Sequence, residues 1–174
     1  MAQKATHVPW ESRKQIPDAQ VLDAADQFET AAQVLWKARC ADGMLLPFLN
    51  TSVMAVELYL KSLSSESVHV QQIDGGALVY AQPDVEKHPP SVLLNAVPKD
   101  IRLKMEKAYA KRPDAEGLTL PARCKMYDSL LMASRYPFVE DLTVNGISID
   151  WRNCGTPYPL ADRLLWRDVT SRIW

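Results

Sequence analysis

The sequence predicts a mainly all-α fold: an antiparallel bundle of about five to six helices with a short β-hairpin inserted near residues 68–82. Three observations carry that expectation. Apolar residues recur at steps of three and four, most clearly at Leu49, Val53, Val56, Leu60 and Leu63, the spacing of a helix with one buried face. Prolines stand near the starts of successive helical stretches, at Pro47, Pro90, Pro98 and Pro121, where the missing N–H costs little. The helical period breaks at VHVQQIDGGALVYAQ, where Asp74-Gly75-Gly76 joins two β-prone flanks, a hairpin signal.

Taken in order, residues 1–17 read as a polar N-terminal arm whose Trp10 tucks onto the body, and residues 18–174 as a single helical domain. Asp18 is a suitable N-cap for a helix to about Ala41, with Val21, Ala25, Phe28, Ala32, Leu35 and Trp36 inward, Arg39 on the same face and Gly43 as its stop. The connection to the next helix is very short, so the two pack antiparallel. That second helix ends in the polar run Ser62 to Ser67. After the hairpin, His88-Pro89-Pro90 opens a short helix, and Pro98 opens another with Ile101, Met105 and Ala108 inward. The outer face of the latter is basic, with Arg102, Lys104, Lys107, Lys111 and Arg112. Pro113 to Thr119 is a loop. The helix from Pro121 turns Tyr127, Leu130, Leu131, Ser134 and Phe138 inward with Arg135 at the edge, and Tyr136-Pro137 stops or kinks it. Asn145-Gly146 marks a second tight turn. A last helix, about 159–174, carries Trp166, Ile173 and Trp174, apolar anchors for docking on the body or on another subunit.

The bulk properties narrow the function classes. The chain has 174 residues, enough for one domain with a proper core, and 47% hydrophobic residues exclude a disordered chain. With 20 basic and 21 acidic residues the net charge is −1, so any nucleic-acid contact rests on a local basic patch. No apolar run approaches the ~20 residues of a membrane span, and MAQKATHVPWESRKQ lacks the apolar core of a signal peptide; a cytoplasmic protein with no membrane partner is expected. Cys40, Cys124 and Cys154 are dispersed and read as free thiols. Phosphate-loop, dinucleotide, HExxH, paired CxxC and serine-elbow motifs are absent, so neither a cofactor nor a metal is expected.

The polar residue that stands out is Glu57, which falls inside the apolar sector of its helix. A carboxylate there is costly unless paired or hydrogen-bonded. Lys61 follows one turn later, in the favoured orientation for an ion pair. Arg39, His88 and Arg135 are the further candidates to meet Glu57. The bland reading is an ion pair holding helices in register; the functional reading is a site, with His88 as a proton-transfer or phosphate-contacting group. His7 and His69 lie in the arm and the hairpin and carry no such signal.

Three segments together resemble the HEPN-like (higher eukaryotes and prokaryotes nucleotide-binding) helical domains. Ala55-Val56-Glu57-Leu58-Tyr59-Leu60-Lys61-Ser62-Leu63 is similar to the family's A-x-E-L-x-L-K-x-L helix, His88 to Pro98 to its H-x-L-x-x-L-x-x-L-P stretch, and Ser134-Arg135-Tyr136-Pro137-Phe138-Val139-Glu140 to the R-Y-x-x-E ending of some members, with one residue more before Glu140. The resemblance covers roughly Asp18 to Asp141. It implies a helical bundle, often a homodimer, with Glu57, Lys61, His88 and Arg135 as a shared polar cluster. Many members are metal-independent ribonucleases of toxin–antitoxin or antiviral systems; others bind nucleotides or proteins without catalysis. Active members carry Arg, four to six residues, then His on a late helix. No histidine follows Arg135, so the resemblance implies a catalytically silent module for RNA, a nucleotide or a protein partner, served by the polar cluster and by Lys104, Lys107 and Lys111. Two alternatives are a divergent ribonuclease using His88 and Arg135, and a mobile-element inhibitor that binds a protein through the hairpin and the C-terminal tryptophans.

Overall fold

The computed structural model describes residues 9–13, 16–42, 45–71, 77–112, 115 and 117–135. Among these the order is β1 (Pro9–Arg13), α1 (Ala19–Asp42), α2 (Leu45–Ser62), β2 (Ser65–Gln71), β3 (Ala77–Pro83), α3 (Pro90–Ala96), α4 (Lys99–Ala110) and α5 (Leu120–Arg135). The fold is mainly α with a short antiparallel hairpin, as the periodicity predicts. The expected turn at Asn145-Gly146, the helix near 159–174 and the C-terminal tryptophans lie outside the described residues.

Helices α1 and α2 run antiparallel. Asp18 N–H donates to the Ser62 carbonyl at 2.8 Å at one end, and the Trp36 and Phe48 rings meet at 5.0 Å near the other. The expected cap is present: Asp18 Oδ1 accepts from the Gln20 and Val21 N–H groups, both at 3.1 Å. Its other oxygen accepts from Ser67 Oγ at 2.6 Å, so one buried aspartate ties the start of α1 to β2.

Helix α2 is the centre of the bundle, packed against α1, α3 and α5. A single buried face is the expectation; Val53, Ala55, Val56, Tyr59, Leu60 and Leu63 are all buried. The difference follows from position, because a helix wrapped by three others must be apolar nearly all round. The serine run beyond it is buried too. Ser62 Oγ donates to the Tyr59 carbonyl at 2.7 Å and Ser65 Oγ to the Lys61 carbonyl at 2.6 Å, so hydroxyls fill the acceptors that a helix end leaves open.

The sheet has three strands in the order β1-β2-β3, all antiparallel. Hairpin pairing runs from Ser65↔Pro83 to Gln71↔Ala77. Part of the segment read as an arm thus supplies β1. PWESR shows no apolar alternation, and its strand character comes from backbone pairing along the edge of β2, where polar side chains are tolerated.

Helix α4 buries Ile101, Met105 and Tyr109. Gly117, with φ of +76°, makes the turn into α5 in a conformation that L side chains rarely adopt.

Candidate functional site

Helix α2 presents Glu57 and Tyr59 to opposite flanks, since two residues turn about 200° around a helix. Tyr59 faces α1. Glu57 faces the segment that leads into α3. That segment is held by two features. Pro90 disfavours helical geometry at Pro89, and Pro89 is extended at φ −60° and ψ 125°. Pro89 also has no side-chain acceptor to cap α3; Asp128 of α5 does so instead. Its Oδ1 accepts the Ser91 N–H at 2.9 Å and its Oδ2 accepts Ser91 Oγ at 2.5 Å. His88 therefore leaves a backbone clamped to α5 just beyond it.

Lys61 Nζ and His88 Nδ1 both lie 2.8 Å from the same oxygen, Glu57 Oε1. Glu57 is 2% exposed, while the Lys61 and His88 side chains are 14% and 55% exposed. A buried carboxylate therefore draws two nitrogen groups to the boundary between core and solvent. A carboxylate only accepts, so Nδ1 carries the hydrogen of the imidazole contact. Nε2 has no partner among the described residues, and the side chain as a whole is 55% exposed. A histidine whose one nitrogen is held by a carboxylate has its tautomer and ring orientation set, with the other nitrogen left to act. The lysine donates one of three hydrogens to Glu57. The site can thus offer lysine N–H donors to an anion, or move a proton at Nε2.

Of the other candidates, Lys104 and Lys107 are exposed on α4 and Lys111 is exposed at its C-cap. Arg102 is half-buried and engaged, its guanidinium 3.3 Å from Asn95 Oδ1 and 3.9 Å from Glu106 Oε1. Arg135 is the last residue of α5, a helix that packs on α2; its side chain, like that of Arg39, lies outside what is described.

A second polar cluster was not anticipated. The Tyr59 hydroxyl lies 2.6 Å from Asp26 Oδ1 and 2.5 Å from Glu29 Oε2. Burial first, then the hydrogen bonds to Asp26 and Glu29, hold the phenol ionised only well above its ordinary range. The signal was available: Glu29 interrupts the small residues Ala25 and Ala32 on the inner line of α1, so a buried partner was required.

Among the described residues no group of three or more His, Cys, Asp or Glu side chains could hold a metal ion, and no helix is long and apolar enough to cross a membrane. Comparison with protein-family models, curated proteins and solved structures finds no match to this chain.

Proposed function

We propose that the chain is a non-catalytic, HEPN-like helical module that binds an anionic ligand, RNA or a nucleotide. His88 and Lys61 make the contact and Lys104, Lys107 and Lys111 extend it. The carrying observation is the convergence of Lys61 Nζ and His88 Nδ1 on one oxygen of buried Glu57. The His88 side chain is 55% exposed beside it. A setting in toxin–antitoxin or antiviral defence follows from the family resemblance.

The test is fluorescence anisotropy with a labelled single-stranded RNA across a salt series. Binding should weaken linearly in log–log form, and removing three phosphate-contacting lysines should flatten the slope by about 2, at ~0.7 per contact. Lys104→Gln/Lys107→Gln/Lys111→Gln should show that change, and His88→Ala should weaken binding at every salt. Absence of binding to RNA and to free nucleotides, or a slope untouched by the triple substitution, sinks the reading.

A second reading is favoured by the orientation of His88: a metal-independent ribonuclease in which Nε2 moves the proton of the attacking 2′-hydroxyl, with Arg135 as the phosphate clamp. Incubation with RNA in excess chelator separates the two. Cleavage that persists in chelator and is lost in His88→Ala supports the enzyme; intact RNA at high protein excess supports the binding module.

A further inference from the structure

Strand β3 lies at a border of the sheet: the order is β1-β2-β3, and among the described residues no strand pairs with its far side. The ladder fixes which of its backbone groups face that side. Asp84 N–H donates to the Ser64 carbonyl at 3.0 Å, one step beyond the Ser65↔Pro83 pair and in the same register. Antiparallel pairs alternate between those that exchange hydrogen bonds and those that do not. Glu66↔Gln82, Val68↔Tyr80 and Val70↔Leu78 therefore carry the bonds between the strands, and Ser65↔Pro83, Ser67↔Ala81, His69↔Val79 and Gln71↔Ala77 do not. Pro83, which has no N–H to give, stands in a pair of the second kind, as it must. The N–H and C=O groups of Ala77, Val79 and Ala81 thus point away from β2, in the plane of the sheet. One described side chain reaches them: Gln20 Nε2 donates to the Val79 carbonyl at 3.4 Å, an exposed contact at the long end of hydrogen bonding.

The side chains do not guard this edge. Sheets usually blunt a free edge with charge or proline. Strand β1, at the opposite border, is Pro9-Trp10-Glu11-Ser12-Arg13, with a proline and two charges. Strand β3 is Ala77-Leu78-Val79-Tyr80-Ala81-Gln82-Pro83, with no charge and its proline only at the last position. Leu78, Val79 and Tyr80 are 43%, 37% and 40% exposed. Leu78 and Tyr80 share a face with Val70 and Val68, their partners across the ladder, which are 1% and 4% exposed. The apolar face is buried at β2 and stops, uncovered, at β3. A row of donors and acceptors at the two-residue repeat of a strand is matched by another extended backbone, and not by a compact anion. Beside Leu78 and Tyr80 that backbone continues the sheet's apolar face, so the side chains that suit it are apolar at alternate positions.

We propose that the free edge of β3 is a docking site for an extended peptide segment of a partner protein, apolar at alternate positions, which adds to the three-stranded sheet as a further strand. Gln20 holds one acceptor of the edge until an N–H of the peptide takes its place. The edge shares no residue with the Glu57 cluster, and the proposal does not rest on the anion-binding reading.

Fluorescence anisotropy on the full chain tests the proposal. The probe is a labelled peptide of alternating Val and Thr, flanked by lysines for solubility, and it should bind saturably. Val79→Pro deletes an edge N–H that β2 does not use, and proline is tolerated on such a strand; it should abolish binding with unchanged circular dichroism. Gln20→Ala should tighten binding a few-fold, and weaker binding there overturns the role given to Gln20. The decisive measurement leaves the protein unaltered: two probes N-methylated at every second amide, in opposite phases. One phase faces β3 and should not bind; the other faces solvent and should bind like the parent. No saturable binding, equal effects of the two methylation phases, or binding that survives Val79→Pro overturns the proposal. So does light scattering that finds a wild-type dimer and a Val79→Pro monomer, since the edge then belongs to a second copy.

Discussion

At the scale of single residues, two buried acids on opposite flanks of α2 behave differently. Glu57 holds donors that reach solvent, so its charge is balanced at the boundary of the core. Breaking such a pair from the buried side leaves the partners' geometry without its anchor. We expect Glu57→Ala to lower the unfolding free energy by about 3–5 kcal/mol, in the range for loss of one member of a buried pair. Glu57→Gln keeps one acceptor oxygen and should cost about 1–3 kcal/mol. Urea unfolding checks both; equal losses would show that the charge of Glu57 contributes nothing. Tyr59 works toward α1, where its hydroxyl is shared between Asp26 and Glu29. Its ionisation is pushed up in the folded state, so its contribution is fully present below the unfolded value of about 10. Above that pH the unfolded chain loses a proton that the folded chain keeps, and stability falls by about 1.4 kcal/mol per pH unit. Tyr59→Phe should be less stable at neutral pH but lack that alkaline slope, which a denaturant series between neutral and alkaline pH would reveal.

At the scale of elements, α3 is the piece whose placement depends most on another element. It is seven residues long, too short to hold itself in water, and its first turn is capped by Asp128 from α5. Lys125 lies 3.5 Å from the same carboxylate but is 79% exposed and adds little. Asp128→Ala should therefore cost about 1–2 kcal/mol, the range for a lost N-cap, and should release His88 from its orientation. Ser91→Ala removes only the hydroxyl contact and should cost less. NMR shifts of the His88 ring should move in Asp128→Ala and stay near wild type in Ser91→Ala. If His88 is unmoved in both, the cap has no part in positioning the site.

At the scale of the molecule, the bundle has α2 at its centre and separates two polar clusters. One flank carries the Glu57 site; the other carries the Tyr59 clasp on Asp26 and Glu29 of α1. Ligand binding through His88 and Lys61 should be retained in Tyr59→Phe, since the two clusters share no residue; an anisotropy titration that loses binding in that variant would show them coupled.

Local signals were enough for much of this. The helical period and the prolines placed α1 to α5, Asp18 declared its own cap, and Asp74-Gly75-Gly76 marked the hairpin, because each depends on neighbours within one or two turns. Glu57 with Lys61 was legible for the same reason, as an anomaly one turn from its partner. The convergence of His88 on Glu57 could be posed as a candidate, and the packing brought the two within 2.8 Å. Other features depended on segments far apart in the chain: strand β1, paired through its backbone to β2; the Asp128 cap on α3; the clasp of Tyr59 on Asp26 and Glu29; and the division of α1's apolar residues between Ala25 and Ala32, which are buried, and Phe28, which is 38% exposed. Phe28 and Leu35 read as core beside Ala25 and Ala32 because one helix in isolation does not say where its neighbour lies. Periodicity reports that a face is apolar; only the position of α2 against α1 decides which of two adjacent apolar faces is buried and which stays exposed.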